Sequence, residues 1–290
     1  MLTIKDVLTQ ATAQLSQARV ESARLDAQVL LSHVLGTERS TFFAYPEREI
    51  TAEQEQQFLA LIRRRAQREP VAYLTGHREF YGLDLLVDAR VLIPRPETEL
   101  LVEVALQHIR RAIAAGHMPV VADIGTGSGA IPLAVAVEEP RLPYLYACDI
   151  SAAALEVAHL NGQRHQVEQR VRLLQGHLLD PLPEPVDVLC ANLPYVGTTE
   201  MTLLTADIHA YEPHLALFSG PDGLSLVQQL CRDAQHSGKL KAGAVMLLEI
   251  GYQQSEALTR LLLDLWPQST VTCRKDYAGW DRLLQVYLPS

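Results

Sequence analysis

Four consecutive residues, 192–195, combine polar and aromatic groups that could hold a planar amide. They read Asn-Leu-Pro-Tyr and follow an apolar run, Val186 to Ala191, which has the length of a buried strand. Pro194 cannot donate a sheet hydrogen bond and keeps Leu193 extended, so the strand is predicted to end in a rigid loop. The Asn192 amide oxygen, the Leu193 carbonyl and the Tyr195 ring suit an NH2 group conjugated to a carbonyl or a ring. The same residues also suit a simple strand-ending turn with a core tyrosine.

A glycine-rich stretch further upstream indicates a second ligand contact. It runs from Asp123 to Gly129 as Asp-Ile-Gly-Thr-Gly-Ser-Gly, after a strand-like run and before a helix-like one. Such glycines let the backbone approach a ligand closely, with helix N–H groups directed at it. Gly125, Gly127 and Ala130 also fit the dinucleotide fingerprint, so a nicotinamide-binding domain is an alternative. Asp123 at the strand end favours a ligand with a cationic amino-acid tail instead.

Two further strand ends carry candidate ligand contacts. Asp149 ends the next strand-like run, and its carboxylate is expected to accept hydrogen bonds from both ribose hydroxyls, because Ser151 can cap the following helix. His177 and Leu178 follow a third run, where an adenine would lie. His177 is interpreted either as a contact to that base or as an ordinary surface residue.

Composition excludes several classes of protein. The chain has 290 residues, 48% of them hydrophobic, a formal net charge of −9 and a pI near 5.6, which is globular and disfavours extended, stable nucleic-acid binding. No apolar run is long enough to span a membrane, and no secretion signal is recognised. The cysteines form no C-x-x-C, so a reduced cytoplasmic location and no metal site are expected. Cys148, Cys190 and Cys273 lie in strand-like runs and are predicted to be buried.

Residues 1–75 are predicted to form a small all-helical domain. Thr3 with Asp6, and Thr51 with Gln54, have the spacing of capping boxes. Between them, an apolar helix face is predicted and Gly36 ends that helix; the face consists of Leu25, Val29, Leu30, Val34 and Leu35. The arginines between Arg63 and Arg68 are interpreted as a solvated helix face, with a docking patch as the alternative.

Residues 76–98 are predicted to form a hairpin and a linker. The hairpin turns at Gly82, and the segment from Val91 to Glu99 holds two prolines that make it stiff. This segment is either a plain connector or a wall that helps to close a ligand pocket.

Residues 99–290 alternate strand-like and helix-like runs, which predicts an α/β doubly wound sheet. The last two strands are joined by a turn too short for a helix, so they are predicted to form an antiparallel hairpin. The predicted strands are Val120–Ile124, Leu145–Asp149, Val171–Leu174, Val186–Ala191, Ala244–Glu249, Thr270–Cys273 and Leu283–Tyr287.

These features together resemble the S-adenosylmethionine-dependent methyltransferases of the seven-stranded, Rossmann-like class. Nearly the full length is similar to the peptide chain release factor glutamine methyltransferases, the HemK/PrmC family. The motifs that carry this resemblance are Glu69-Pro-Val-Ala-Tyr-Leu-Thr-Gly76, Val91-Leu-Ile-Pro-Arg-Pro-Glu-Thr-Glu99, the glycine stretch, Asn192-Leu-Pro-Tyr195, Tyr211-Glu-Pro213, Gly220-Pro-Asp-Gly-Leu224, Leu248-Glu-Ile-Gly251 and Asp276-x-x-Gly-x-Asp-Arg282.

The resemblance implies methyl transfer from S-adenosylmethionine to the side-chain nitrogen (N5) of the glutamine in the Gly-Gly-Gln tripeptide of release factors. It implies that the N-terminal domain recognises this protein substrate. The cofactor residues would be Gly125, Thr126, Gly127, Ser128, Gly129, Asp149, His177, Leu178 and Asn192. The substrate amide would be held by Asn192, Leu193, Pro194 and Tyr195, with Asn192, Pro194 and Tyr195 in the catalytic role.

Two positions depart from the family pattern. The family loop is usually Asn-Pro-Pro-Tyr, and here Leu193 replaces the first proline; this position offers its backbone carbonyl, and Pro194 still restrains it. Relatives commonly carry aspartate where this chain has His177. Two rivals stay open: a methyltransferase acting on an exocyclic amine of a nucleic-acid base, such as adenine N6, and a cofactor-binding module without catalysis.

Overall fold

Two N-terminal helices begin, and one ends, at residues that the sequence marks. Thr3 with Asp6, and Thr51 with Gln54, form complete capping boxes, and Gly36 ends its helix in the left-handed conformation, with φ of 59°. The computed structural model describes residues 2–203 and 205–289, without the side chains of residues 200, 202 and 203. Its first helices are α1 (Ile4–Gln17), α2 (Ala23–Leu35), α3 (Ser40–Ala44), α4 (Ala52–Ala66) and α5 (Val71–Thr75).

The chain divides into two units that are each compact. The first unit comprises Met1–His77 and Leu204–Tyr211, and the second comprises Arg78–Leu203 and Glu212–Ser290. Apolar side chains of α1, α2 and α4 form the core of the first unit, with Phe58 and Ile62 fully buried. The short segment 204–211 groups with these helices although it lies far along the chain.

The arginine cluster in α4 and the turn after it is not a uniform solvated face, which corrects the sequence interpretation. Arg65 is only 6% exposed, and its guanidinium binds Asp26 of α2 at 2.7 Å and Asp207 at 2.7 Å. Arg68 also approaches Asp207, at 3.6 Å, whereas Arg63 is exposed. The ion pairs therefore join α2, α4 and the 204–211 segment inside the first unit.

The buried face of α2 differs from the predicted one for the same reason. Leu25 is 49% exposed, whereas Asp26 is buried against Arg65. Leu30 is buried as predicted, and Val29 and Val34 are half-buried. Pairing with Arg65 makes burial of an aspartate possible, and the helix is rotated accordingly.

A two-stranded hairpin precedes the main sheet. It consists of β1 (His77–Phe80) and β2 (Leu83–Leu86), and Gly82 at its turn has φ of 76°. The linker follows, with a 3₁₀ turn over Pro96–Thr98.

The second unit contains a seven-stranded sheet in the order β5-β4-β3-β6-β7-β9-β8. Neighbouring strands are parallel, except that β9 runs antiparallel to both β7 and β8. This confirms the predicted doubly wound sheet with a terminal antiparallel hairpin. The strands are β3 (Val121–Ile124), β4 (Leu145–Asp149), β5 (Val171–Gln175), β6 (Val186–Ala191), β7 (Leu240–Glu249), β8 (Thr270–Lys275) and β9 (Asp281–Tyr287).

Helices cover both faces of this sheet. Alternate strand residues point to opposite sides, so Val121 and Leu247 join one apolar cluster with α6 and α7, whereas Ala122 and Met246 join another with α10 and α11. The helices of this unit are α6 (Glu99–Ala114), α7 (Ala130–Glu138), α8 (Ala152–Arg164), α10 (Ser225–His236) and α11 (Ser255–Leu265), whereas α9 (Ala206–Tyr211) belongs to the first unit.

Two predictions from composition can be compared with this fold. Cys148 and Cys190 are buried as predicted, but Cys273 is exposed because its strand, β8, forms the edge of the sheet. Within the described ranges, no helix is both long and apolar enough to cross a membrane.

Substitution of Arg65 by alanine is expected to destabilise the first unit. Removal of the guanidinium leaves the Asp26 carboxylate buried without its partner, at a cost of about 3–5 kcal/mol. Native-state hydrogen exchange of the α4 amides measures this loss. Arg63→Ala, on the exposed side of the same helix, is the control and should change the free energy of opening by less than about 0.5 kcal/mol. Equal exchange in the two variants would contradict a structural role for Arg65.

Candidate active site

The two chemistry-bearing motifs meet at the carboxyl edge of the sheet. Ala191 at the end of β6 pairs with Ile124 at the end of β3, and Ile124 pairs with Cys148 of β4. The glycine turn, Asp149 and Asn192 therefore follow neighbouring parallel strands at one edge. This edge is where open α/β sheets bind ligands.

The glycine turn fits tightly against the neighbouring loop on one side and leaves open space on another. Gly125 has φ of 77°, and a side chain there would place Cβ 2.8 Å from Cδ2 of Leu193. Gly127 has φ of 55°, and no atom lies within 4 Å of the place where its Cβ would be. The backbone at Gly127 is therefore open to close approach by a ligand.

Asp149 is fixed by the turn that it faces. Its Oδ2 accepts a hydrogen bond from Gly127 N at 2.8 Å, and its Oδ1 accepts one from Ser151 N at 2.9 Å. Ser151 also caps α8 through its hydroxyl, which accepts from Ala154 N at 3.1 Å. Each carboxylate oxygen can accept a further hydrogen bond, so the group is oriented and still able to bind hydroxyls.

A cavity at this edge brings most of the predicted residues together. It is lined by backbone and side chains from the glycine turn, the β4 and β5 ends and the 192–194 loop. Val91 and Leu92 also line it, so the linker forms one of its walls. The predicted site residues in its lining are Gly125, Gly127, Asp149, His177, Leu178, Asn192, Leu193 and Pro194.

Three predicted cofactor residues, Thr126, Ser128 and Gly129, do not line this cavity. Thr126 and Ser128 are buried within the turn, and a side chain at Gly129 would place Cβ 2.9 Å from Cδ1 of Leu133. The Ser128 carbonyl accepts a hydrogen bond from Nδ2 of Asn161 at 2.9 Å. These residues support the conformation of the turn but do not belong to the cavity lining.

Asn161 is a supporting residue that sequence reasoning missed. It is fully buried on α8 and, besides Ser128, bonds both backbone groups of Leu86 in the hairpin, with Oδ1 accepting at 2.7 Å and Nδ2 donating at 3.0 Å. A buried polar residue on an otherwise apolar helix face was the only signal in the sequence.

The linker is held in place by a buried acid that sequence reasoning also left without a role. Glu212 accepts hydrogen bonds from Arg95 Nη2 at 2.5 Å and from Ile93 N at 3.3 Å. These contacts fix the segment that leads into the turn containing Thr98, a buried residue beside Asn192.

The side chain of Asn192 is anchored on one side only. Its Nδ2 donates to the Thr98 hydroxyl oxygen at 3.0 Å. The carbonyl of Tyr195 accepts from Nε2 of Gln254 at 2.9 Å, which fixes the far end of the loop.

Burial and the nearby Glu249 raise the pKa of Tyr195 to about 12, so its phenol is neutral. Tyr195 is outside the cavity lining described above.

Two buried carboxyls lie under this edge without well-formed hydrogen bonds among the described residues. Asp123 is 1% exposed and Glu249 is 4% exposed. Burial raises the pKa of each to about 7; the Thr126 hydroxyl partly opposes this at Asp123, and the Thr98 hydroxyl does so at Glu249. The second acid was not singled out from sequence because its position beside Asn192 depends on strand register.

Comparison with known proteins agrees with this geometry. Residues 6–76 match the PrmC N-terminal domain, and residues 98–215 match the methyltransferase small domain. The release factor glutamine methyltransferase of Moorella thermoacetica is 40% identical over 287 residues, covering 99% of each chain. That of Rhodopirellula baltica is 37% identical over 268 residues, covering 92% of this chain and 90% of the relative.

The chain belongs to the release factor glutamine methyltransferase family. It is therefore a methyltransferase, as the resemblance in its motifs implies. Among solved structures, the catalytic domain of hMettl16 in complex with a 3′UTR hairpin has a TM-score of 0.55 at 16% identity, covering 77% of this chain and 81% of that one. This second likeness establishes the methyltransferase sheet alone.

The raised pKa values predict how stability changes with pH in the ligand-free protein. Asp123 and Glu249 keep their protons in the folded state up to about pH 7 but lose them near pH 4 when unfolded. Their contribution is therefore complete below pH 4 and is lost as pH rises through 7, at about 1.4 kcal/mol per pH unit for each group. Between pH 5.5 and 6.5, Glu249→Gln should lose about 1 kcal/mol less stability than the wild type.

Tryptophan fluorescence during urea unfolding measures this effect, because Trp266 and Trp280 both belong to the second unit. Glu256→Gln is the matched control, since its carboxylate is exposed, and it should follow the wild type. Identical pH slopes for Glu249→Gln and the wild type would contradict a raised pKa at Glu249.

Proposed function

We propose that this methyltransferase transfers a methyl group from S-adenosylmethionine to the N5 amide nitrogen of the glutamine in the Gly-Gly-Gln tripeptide of peptide chain release factors. The observation that carries the proposal is the placement of Asn192. Its side chain borders the cavity beside the glycine turn, and its Nδ2 is already bonded to Thr98, which leaves Oδ1 to accept a substrate N–H.

The cavity has the chemistry that S-adenosylmethionine requires. Asp149 would accept hydrogen bonds from the two ribose hydroxyls, and the open backbone at Gly127 would lie against the ligand. His177 and Leu178 would border the adenine, and the carboxyl of Asp123, which has no well-formed hydrogen bond to any described residue, suits a cationic amino-acid tail nearby. When bound, this cofactor supplies a methyl carbon made electrophilic by its sulfonium.

The Asn-Leu-Pro-Tyr loop provides the matching site for the glutamine amide. Oδ1 of Asn192 and the carbonyl of Leu193 would accept the two N–H bonds of the amide. Pro194 restrains the loop and Tyr195 would stack on the amide plane. Accepting both N–H bonds orients the nitrogen and increases its electron density, which matters because its lone pair is otherwise delocalised into the carbonyl.

Positioning and electrostatics would then supply most of the rate. The amide nitrogen can lose its proton after methyl transfer, so an early general base is not needed. The neutral Tyr195 phenol is consistent with a stacking role rather than an acid–base role.

The choice of a release factor as substrate rests on the family. The relatives from Moorella and Rhodopirellula are named release factor glutamine methyltransferases. The rival is transfer to an exocyclic amine of a nucleic-acid base, which is also a planar conjugated NH2 group. The net charge of −9 disfavours this rival.

Transfer of labelled methyl groups distinguishes the two substrates. The purified protein and methyl-labelled S-adenosylmethionine are given a release factor, the same factor with its Gly-Gly-Gln glutamine changed to alanine, and total RNA and DNA. We expect label in the intact factor and none in the altered factor. Label in nucleic acid alone would establish the rival, and cofactor binding without transfer to any of them would support a binding module.

Substitution of Asn192 by alanine is expected to impair turnover much more than cofactor binding. Loss of the Oδ1 acceptor should lower kcat about 10²–10³-fold, the size seen when one preorganised hydrogen-bonding group is removed from an active site. The Kd for S-adenosylmethionine, measured by calorimetry, should stay close to that of the wild type. Gln253→Ala removes an exposed amide after β7 and is the control. Normal turnover in Asn192→Ala would remove Asn192 from the mechanism.

A further inference from the structure

The amide of Asn192 must have one particular orientation to do what is proposed for it. An asparagine side chain presents an acceptor on one side and a donor on the other, and rotation by half a turn exchanges them. Only the orientation with Oδ1 towards the substrate can accept its N–H. With the NH2 group in that place, a substrate donor would meet another donor.

Thr98 contacts the inner side of this amide. Its hydroxyl oxygen accepts from Nδ2 of Asn192 at 3.0 Å, and its side chain is only 4% exposed. A hydroxyl can donate as well as accept, so Thr98 alone would permit either orientation of the amide. A further group must decide in which direction the hydroxyl donates.

Glu249 lies where it can determine the direction in which the Thr98 hydroxyl donates. Ala191 pairs with Leu248, so Asn192, which directly follows β6, comes beside Glu249, the last residue of β7. The carboxyl is buried, which raises its pKa, while the Thr98 hydroxyl and the Asn192 amide lower that pKa by hydrogen bonding. Among the described residues, neither carboxyl oxygen of Glu249 has a hydrogen bond of full geometry, so both oxygens can still accept one.

Once it is ionised, above about pH 7, the Glu249 carboxylate only accepts hydrogen bonds, so it then favours a donor from each of its two neighbours. The Thr98 hydroxyl donates towards Glu249 and its oxygen is then available to Nδ2 of Asn192. The NH2 group of Asn192 is drawn to the same inner side. The positive charge of Arg282 lowers the pKa of Glu249, and the negative charge of Glu97 raises it.

The segment that carries Thr98 is itself held rigidly. Arg95 and Ile93 are bonded to Glu212 ahead of the turn, and Glu99 behind it accepts from Tyr81 N at 2.9 Å. The position of the Thr98 backbone is therefore set by contacts other than the one to Asn192. Preorganisation of this kind is what an orientation-setting contact needs.

We propose that Thr98 and Glu249 are positioning residues that lock the Asn192 amide with Oδ1 facing the substrate. The inference rests on the proposed function, because it assigns the substrate amide to Oδ1. Neither residue touches the reacting atoms; both act through Asn192.

Conservative variants test this lock. Thr98→Val keeps the side-chain shape and removes the hydroxyl, so kcat for the release factor should fall about tenfold or more, with KM and the cofactor Kd changed less than threefold. Thr98→Ser restores the hydroxyl and should recover kcat to within about threefold of the wild type. Glu249→Gln can donate as well as accept, so it should lower kcat by a similar factor. Thr272→Val, on the exposed edge strand β8, is the control.

A double-mutant cycle separates positioning from general damage. In the Asn192→Ala background, Thr98→Val should change the residual kcat less than twofold, because its effect passes through the missing amide. An undiminished loss in that background would overturn the proposal. So would a Thr98→Val enzyme as active as the wild type, or a Thr98→Ser enzyme as impaired as Thr98→Val.

A readout without turnover completes the test. Solvent exchange of the Asn192 Nδ2 protons, followed by ¹⁵N NMR, should be at least tenfold faster in Thr98→Val than in the wild type, because rotation of the freed amide exposes them. Unchanged exchange would contradict the lock. If the wild type transfers no methyl group to the release factor, the proposed function fails and the exchange measurement still decides whether the lock exists.

Discussion

The parallel pairing of β6 with β3 and β7 is the constraint on which this site depends. It sets Ala191 level with Ile124 on one side and with Leu248 on the other. Asn192 thereby emerges between the glycine turn and Glu249. A shift of one residue in β6 would move this asparagine by about 3.3 Å and send its side chain to the other face of the sheet. Both apolar clusters hold that register, since each takes alternate residues of the same strand.

The site also concentrates features that oppose stability in the ligand-free protein. Asp123 and Glu249 are buried carboxyls without well-formed hydrogen bonds among the described residues, and Leu178 beside the cavity has φ of 45°. Elsewhere in the described chain, buried charges such as Arg65 and Glu212 are directly paired. Local rules are commonly broken at functional sites and obeyed around them. A cationic group near Asp123 would offset the cost of ionising it, which links ligand binding to stability.

The parts of the structure that the sequence predicted are those set by local patterns. The capping boxes at Thr3 and Thr51 are four-residue signals, and each buried strand is a short apolar run. Features set by long-range partners were missed. Leu25 is exposed because Asp26 is paired with Arg65 of another helix, and Cys273 is exposed because β8 is an edge.

Some residues of the site can be predicted from sequence motifs, whereas others can be found only in the folded structure. The cavity contains most of the predicted residues, because glycine turns and strand ends have fixed places in such sheets. Thr98 and Glu249 are separated from Asn192 by long stretches of sequence, and no local pattern relates them.

Leu193 depends on both local sequence and fold. The role proposed for its carbonyl needs only an extended backbone, which Pro194 imposes. Its side chain is buried, and its Cδ2 lies 2.8 Å from the place where a Cβ of residue 125 would be, so the leucine packs closely against the glycine turn.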